Sequence, residues 1–206
     1  LVAIRQGYEV IGIDLKKSKK LSCRQLELDL TSESFFDEIP KNSAIIHLAS
    51  LSTDGACKAN PVMALDANLR ATALVLENAV KSKASHFVFA SSEWVYPEHP
   101  NVVAQSEKDE LKLTSLNSLY AMTKLFGESL IRVDSKVPHT ILRFGIVYGP
   151  RFPPGSAWRF RADGGVVQHA SRALVRLGRH GKFFQRVEAG QHVFTCDLRP
   201  VVRLVM

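Results

Sequence analysis

Short apolar runs, separated by segments with helical patterning, constrain the fold of this chain more than any other feature. Tyr8-Glu-Val-Ile-Gly-Ile-Asp14 reads as a buried strand ending in an acid. Gln25-Leu-Glu-Leu-Asp-Leu30 alternates as a short strand. Ala44-Ile-Ile-His-Leu-Ala49, His86 to Ser91 and His139-Thr-Ile-Leu-Arg-Phe144 continue the series. Leu1 to Gly7 reads as the end of a helix closed by a glycine at its C′ position. Thr31-Ser-Glu-Ser34 opens a short helix with N-cap chemistry. Pro61 suits a first helical turn, and Val62, Leu65, Leu69, Leu76 and Val80 then mark one face of a long helix. Leu119, Met122, Phe126, Leu130 and Val133 mark the apolar face of another. Residues 97–116, polar with two prolines, read as a long loop. Strands alternating with helices predict an α/β fold, a doubly wound parallel sheet with helices on both faces. Ligands of such sheets bind beyond the carboxyl ends of the strands. Asp14, Ala49-Ser50 and Ser91-Ser92 all fall there.

Tyr120-Ala-Met-Thr-Lys124 opens the last of these helices, about thirty residues after the serine-rich strand end. A Tyr and a Lys at i and i+4 share a helix face. A phenol titrates near pH 10, so acting as a base near neutrality needs a shift of roughly 3 units, or about 4 kcal/mol. An ammonium about 4 Å away supplies on the order of 4 kcal/mol at an effective dielectric near 20. The spacing therefore predicts that Lys124 depresses the pKa of Tyr120 and that the pair transfers a proton.

Length and composition fit one α/β domain with a small annex. No apolar run reaches the ~18 residues of a membrane span, and the start has no signal-peptide pattern. Cys23, Cys57 and Cys196 are odd in number and widely spaced. That argues against a disulfide framework and against a metal site, and fits a reducing cytoplasm. The net charge of +7 is uneven. Residues 1–150 hold 17 basic and 17 acidic side chains, whereas residues 151–206 hold 10 basic and 3 acidic, with Arg supplying nine of the ten. The basic tail has no nucleic-acid motif and few interleaved aromatics, so no nucleic-acid partner is expected.

Several motifs occur in a telling order: the strand ending at Asp14, Ile-His-Leu-Ala49, Asn68-Leu-Arg-Ala-Thr, Phe-Ala-Ser-Ser92-Glu-Trp-Val-Tyr96, Tyr120-x-x-x-Lys124 and Leu-Arg143-Phe-Gly-Ile-Val-Tyr-Gly-Pro150. Over roughly residues 1–155 the chain resembles the extended short-chain dehydrogenase/reductases, and most of all the NAD-dependent epimerase/dehydratase group that acts on nucleotide sugars. The resemblance implies a Rossmann-like fold and assigns roles. Tyr120 is the general base, Lys124 lowers its pKa and holds ribose hydroxyls, and Ser92 hydrogen-bonds the reacting oxygen. Asp14 accepts from the adenosine ribose, which favours NAD over NADP. Asp29 and Leu30 lie by the adenine. Leu48, Ala49 and Ser50 line the cofactor groove together with Ala90 and Ser91, and Asn68 supports the site from its helix. His47 reads as a packed histidine and Ser91 as a structural hydroxyl. Arg143 fixes the surroundings of its strand, and Tyr96 is a core or cofactor-shelf aromatic. Glu93 is either an active-site acid or a solvated one.

Two departures accompany the resemblance. The glycine-rich turn that binds the pyrophosphate in such folds is absent. The expectation is a family member lacking its first strand and that turn, with roughly twenty family residues missing upstream, and binding NAD poorly or not at all. Beyond Gly155 the resemblance weakens. The domains are therefore read as 1–155, a dinucleotide-binding unit, and 156–206, a partial or divergent substrate region in which Val193-Phe-Thr-Cys-Asp197 is a remnant. Dehydratases of the group resemble one another in an acid two residues after the Ser/Thr. Trp94 stands there in this chain, which favours an epimerase or dehydrogenase. The alternatives are a reductase of a non-sugar carbonyl and a non-catalytic NAD-fold module. A homodimer through the helix after Asn117 is a further implication of the resemblance.

Overall fold

The structure, a computed structural model, describes residues 2–19, 21–97, 107–134 and 136–145, with short strands at 176–177, 183–184 and 204–205. Helix α1 (Val2–Arg5) ends at Gly7, whose φ of +84° is the left-handed conformation that a glycine adopts without strain. The strands are β1 (Val10–Asp14), β2 (Arg24–Glu27), β3 (Ala44–His47), β4 (His86–Ser92) and β5 (His139–Phe144). The remaining strands are β6 (Arg176–Leu177), β7 (Phe183–Phe184) and β8 (Leu204–Val205). Strands β3, β4 and β5 form one parallel sheet with β4 central, and β1 pairs in parallel with β2 on one side and β8 on the other. Among the described residues, only β6 and β7 pair antiparallel. The fold is α/β and Rossmann-like, as the strand–helix alternation predicts.

Side chains alternate across a strand, so each strand serves two faces. Ile11, Ile13, Ile45, Phe87 and Phe89 enter one core with Val75, Leu76 and Ala79 of helix α4 (Ala71–Lys81) and Ile131 of helix α5 (Leu119–Asp134). Ile46, Val88 and Leu142 form a smaller cluster of their own. Full burial of each such side chain stabilises by about 1.5–3 kcal/mol.

Several sequence expectations differ from the structure. The segment after β2 is a 3-10 helix (Glu33–Glu38), and Ser32 does not cap it. Its hydroxyl donates to the Asp29 carbonyl instead (3.1 Å). A helix not anticipated, α2 (Asp54–Ala59), precedes α3 (Pro61–Leu65). The long helix from Pro61 carries a π-turn over Asp66–Arg70 before α4. The inserted residue of a π-turn rotates the flanking faces, so Val62 is 73 % exposed while Ala64, Asn68, Thr72 and Val75 are buried.

The expected apolar face of α5 is also corrected. Phe126 and Val133 are exposed, at 48 % and 89 %, and the buried face carries Ala121, Lys124, Leu125, Glu128 and Ile131. The buried face sets apolar Ala121, Leu125 and Ile131 beside Lys124 and Glu128, which find polar partners in the sheet. The expectations for residues 98–106 and 146–155, and for Cys196 and Val193 to Asp197, lie outside the described residues.

Candidate active site

The start of α5 is fixed from two directions. The Ser118 hydroxyl accepts from the Ala121 N–H (3.1 Å), as an N-cap does, and donates to Asp54 Oδ1 (2.7 Å). The Asp54 carboxylate also pairs with Lys58 (2.7 Å) and lies close enough to the Tyr120 backbone for that N–H to lower its pKa. Burial acts to raise the Asp54 pKa, but these contacts outweigh it and hold it below the usual range. A carboxylate at a helix N-terminus also complements the macrodipole. Deeper along α5, a Cβ on Gly127 would stand 2.8 Å from the Phe89 ring. The missing side chain lets the helix lie close on β4.

This approach brings Ser92, Tyr120 and Lys124 together. Tyr120 lies near Ser92, whose hydroxyl acts to lower the phenol's pKa, and Ser92 Oγ accepts from the Trp94 N–H (3.3 Å). The Trp94 ring stands edge-on to the Tyr120 ring at 6.3 Å. Lys124 is buried and donates through Nζ to the Ala90 carbonyl (2.8 Å). Its ammonium lies 5.1 Å from the Phe89 ring centroid and 5.7 Å from that of Tyr120.

The expected pKa relation is not what the structure shows. Burial raises the Tyr120 pKa, with the Ser92 hydrogen bond opposing it. Burial pulls Lys124 down to about 8, with the nearby Cys57 thiol working the other way. Both groups are desolvated, and each is pushed toward its neutral form. The Lys124 ammonium points at a carbonyl, not at the phenol, so its field does not outweigh the burial of Tyr120.

A second set of contacts ties the end of β3 to α5. Asn68, within the π-turn, accepts from the Leu51 N–H (2.7 Å) and donates to the Leu51 carbonyl (3.1 Å) and to Thr123 Oγ1 (3.0 Å). Its side chain thus joins the loop after β3 to the Tyr120 helix, a supporting position rather than a ligand contact. The Thr72 hydroxyl donates to the Asn68 carbonyl (2.7 Å), so His47 Nε2, 3.0 Å away, donates to Thr72. That contact fixes the neutral Nε2–H tautomer. Burial first, and the Lys124 charge second, hold the His47 pKa down to about 3. His47 is a packed histidine, stacked near Phe87 and Phe89.

Behind Lys124, Glu128 is fully buried and accepts from the Ser91 hydroxyl, from Arg143 Nε (2.9 Å) and Nη2 (2.8 Å), and from Arg132 (3.0 Å). Arg143 Nη1 donates to the Tyr96 hydroxyl (2.8 Å). The Ser91 hydroxyl is thus engaged by Glu128. Asp54, Ser118, Thr123 and Glu128 were missed in the sequence. For Ser118, the hydroxyl residue just ahead of a helix was a usable signal. Glu128, at i+8 from Tyr120, was another.

The remaining candidates sit along the carboxyl edge. Asp14 is exposed at the end of β1 and accepts only a weak contact from the Lys16 N–H (3.3 Å). Leu48 is exposed, and Ala49 and Ser50 are half-buried. Asp29 accepts from the Thr31 N–H and hydroxyl (2.8 Å each), which lowers its pKa. Leu30 turns its side chain into the core. Ala90 presents its carbonyl to Lys124. The half-buried Glu93 has a pKa raised by burial.

The model of the NAD dependent epimerase/dehydratase family matches residues 2–182. UDP-glucose 4-epimerase uge1 of Schizosaccharomyces pombe is 27 % identical over 172 residues, covering 76 % of this chain and 48 % of that protein. A UDP-glucose epimerase of Bacillus subtilis described as uncharacterized, YtcB, is 38 % identical over 96 residues, covering 44 % of this chain and 28 % of its own. The structure of MoeE5 in complex with UDP-glucose and NAD superposes with a TM-score of 0.63 at 30 % identity, over 72 % of this chain and 50 % of that one. The chain spans about half the length of the relatives that it matches most extensively. It belongs to the NAD dependent epimerase/dehydratase family.

Proposed function

We propose that the protein is an NAD-dependent nucleotide-sugar epimerase or dehydrogenase whose reacting groups are Ser92, Tyr120 and Lys124. The observation that carries this is the placement of Tyr120, packed edge-on against Trp94 next to Ser92, on one helix face with a buried Lys124 at the carboxyl edge of the sheet. That is the edge where ligands of such sheets bind. UDP-sugar relatives, among them the MoeE5 complex with UDP-glucose and NAD, support the substrate class.

The residues present fit part of the dinucleotide. Asp14 offers an exposed carboxylate at the end of β1 to a ribose diol, and Leu48, Ala49 and Ser50 offer a partly open edge beside β3. A 2′-phosphate would meet the charge of Asp14, which favours NAD over NADP. Asp29 and the Leu30 backbone stand by the adenine in this reading. The sequence carries no glycine-rich pyrophosphate turn, so these 206 residues by themselves bind NAD more weakly than micromolar.

When bound, the nicotinamide supplies a hydride acceptor. Ser92 holds the reacting sugar oxygen, and Tyr120, in its phenolate form, takes its proton. Burial makes a lone phenolate costly. The Lys124 ammonium, present below about pH 8 and 5.7 Å from the Tyr120 ring, favours the phenolate once it turns from the Ala90 carbonyl toward the phenol oxygen. Trp94, where dehydratases carry an acid, packs against Tyr120 and supports epimerisation or dehydrogenation over dehydration.

Residues 1–155 form the dinucleotide-binding unit in this reading. A second copy docks on the exposed apolar residues Phe126 and Val133 of α5. The free thiols Cys23 and Cys57 fit a reducing compartment such as the cytoplasm. Among the described residues no helix is long and apolar enough to cross a membrane. The test is turnover of a panel of UDP-, GDP- and dTDP-sugars by the full-length gene product. Tyr120→Phe should lower kcat at least roughly 100-fold with unchanged folding, the scale of losing a general base. Unaltered kcat in that variant refutes the assignment.

A further inference from the structure

Ser92 stands at the last ladder pair of β4, opposite Phe144, and the chain then leaves the sheet in the 3-10 turn Glu93–Val95. Within this turn the bonds are short-range, from the Tyr96 N–H to the Glu93 carbonyl (3.0 Å) and from the Trp94 N–H to Ser92 Oγ (3.3 Å). Val95 is fully buried and packs with Ala121 and Leu125 of α5. Apolar packing is non-directional, so it seats the turn on the helix without fixing its rotation.

The directional contacts come from one ion pair. Arg143 Nε and Nη2 bind the two oxygens of Glu128 as a fork (2.9 and 2.8 Å), a planar and pre-organised arrangement. The fork leaves Nη1 aimed at the Tyr96 hydroxyl (2.8 Å), with the guanidinium carbon 4.8 Å from the Tyr96 ring centroid. Glu128 also accepts from the Ser91 hydroxyl. One pair therefore grips the chain on both sides of Ser92 and Trp94. Glu128 stands on the same helix as Tyr120, about 12 Å further along it. We propose that Ser91 and Tyr96 are positioning residues, the two arms of a clamp through which the Glu128–Arg143 pair holds Ser92 and Trp94 in register with Tyr120. The proposal rests on the reading of Ser92 and Tyr120 as the reacting groups. A misplacement of about 1 Å between such groups can cost about 100-fold in rate, so the clamp acts on turnover rather than on substrate affinity. Its arms share one anchor and act as a unit.

Ser91→Ala and Tyr96→Phe each remove one arm and keep the ion pair. In the unaltered chain the edge-on Trp94 and Tyr120 rings should show a nuclear Overhauser contact, and that contact should weaken in both variants. Amide exchange at Trp94 and Tyr96 should quicken roughly tenfold, with Phe87 and Phe89 unchanged. In the full-length gene product each variant should lower kcat roughly tenfold or more, with KM for the nucleotide sugar within about twofold. The double variant should cost much less than the two single losses combined. Should one variant fail to fold, the other carries the test alone. An unchanged ring contact overturns the clamp, as does an unchanged kcat, which leaves Ser91 and Tyr96 a role in stability only. If the unaltered product turns over no nucleotide sugar, the proposed function falls, and the ring contact still decides the clamp.

Discussion

Replacing Glu128 by Gln should remove a large part of the stability of this fold, although the two side chains are nearly the same size. Glu128 is 0 % exposed, and its two oxygens accept from Ser91, twice from Arg143 and once from Arg132. All four contacts come from donors, so the NH2 group of a glutamine must face N–H or O–H groups on one side. The Arg143 guanidinium, its side chain 9 % exposed, is then left buried without its counter-charge. Breaking a buried pair from one side costs about 3–5 kcal/mol. At a urea m-value of about 2 kcal/mol/M, that moves the midpoint by roughly 1.5–2.5 M. Arg132 pairs from a half-exposed position, so Arg132→Ala should cost only about 0–1 kcal/mol. Arg143→Met should cost as much as Glu128→Gln, because it strands the carboxylate. The double change Glu128→Met with Arg143→Met should cost much less than the sum, since no unpaired charge remains. Urea titrations of these variants provide the cycle. A loss below about 1 kcal/mol for Glu128→Gln, or additive single losses, would refute this account of the buried pair.

Acid should destabilise the protein through His47. Its folded pKa of about 3 lies below the 6.5 of an unperturbed histidine, so the unfolded chain binds more protons between these values. Stability then falls as pH drops through that window, by about 2 kcal/mol between pH 7 and 5, with half-buried His86 acting in the same direction. His47→Gln should flatten the slope of the urea midpoint against pH, and an unchanged slope contradicts the assignment. Gly127→Ala should gain up to about 1 kcal/mol of helix propensity and lose about 1–3 kcal/mol to the clash with Phe89, for a net loss in thermal melts. A net gain would show that α5 moves away from β4 without cost. Val133→Glu should shift light scattering toward the monomer if α5 carries the dimer contact, and an unaltered dimer places that contact elsewhere.

Much of the architecture was legible because strand burial and helix boundaries are local properties. The runs ending at Asp14, Ala49, Ser91 and Phe144 became parallel strands, β3 stopping at His47 and β4 at Ser92, and Pro61 and Gly7 bound helices as their backbone chemistry requires. The ordered motifs around Ser92, Tyr120 and Lys124 also identified the family. Only tertiary structure decided which face of α5 is buried. Hydropathy pointed to Phe126 and Val133, but the face turned to the sheet carries Ala121, Leu125 and Ile131 together with Lys124 and Glu128, whose charges meet a carbonyl and a guanidinium there. Likewise, i and i+4 spacing fixes that Tyr120 and Lys124 share a face, while desolvation and the Ala90 carbonyl set their pKa values. Spacing along one helix is written in the chain. The dielectric and the partners around it come from residues 30 or more positions away, brought near only by the fold.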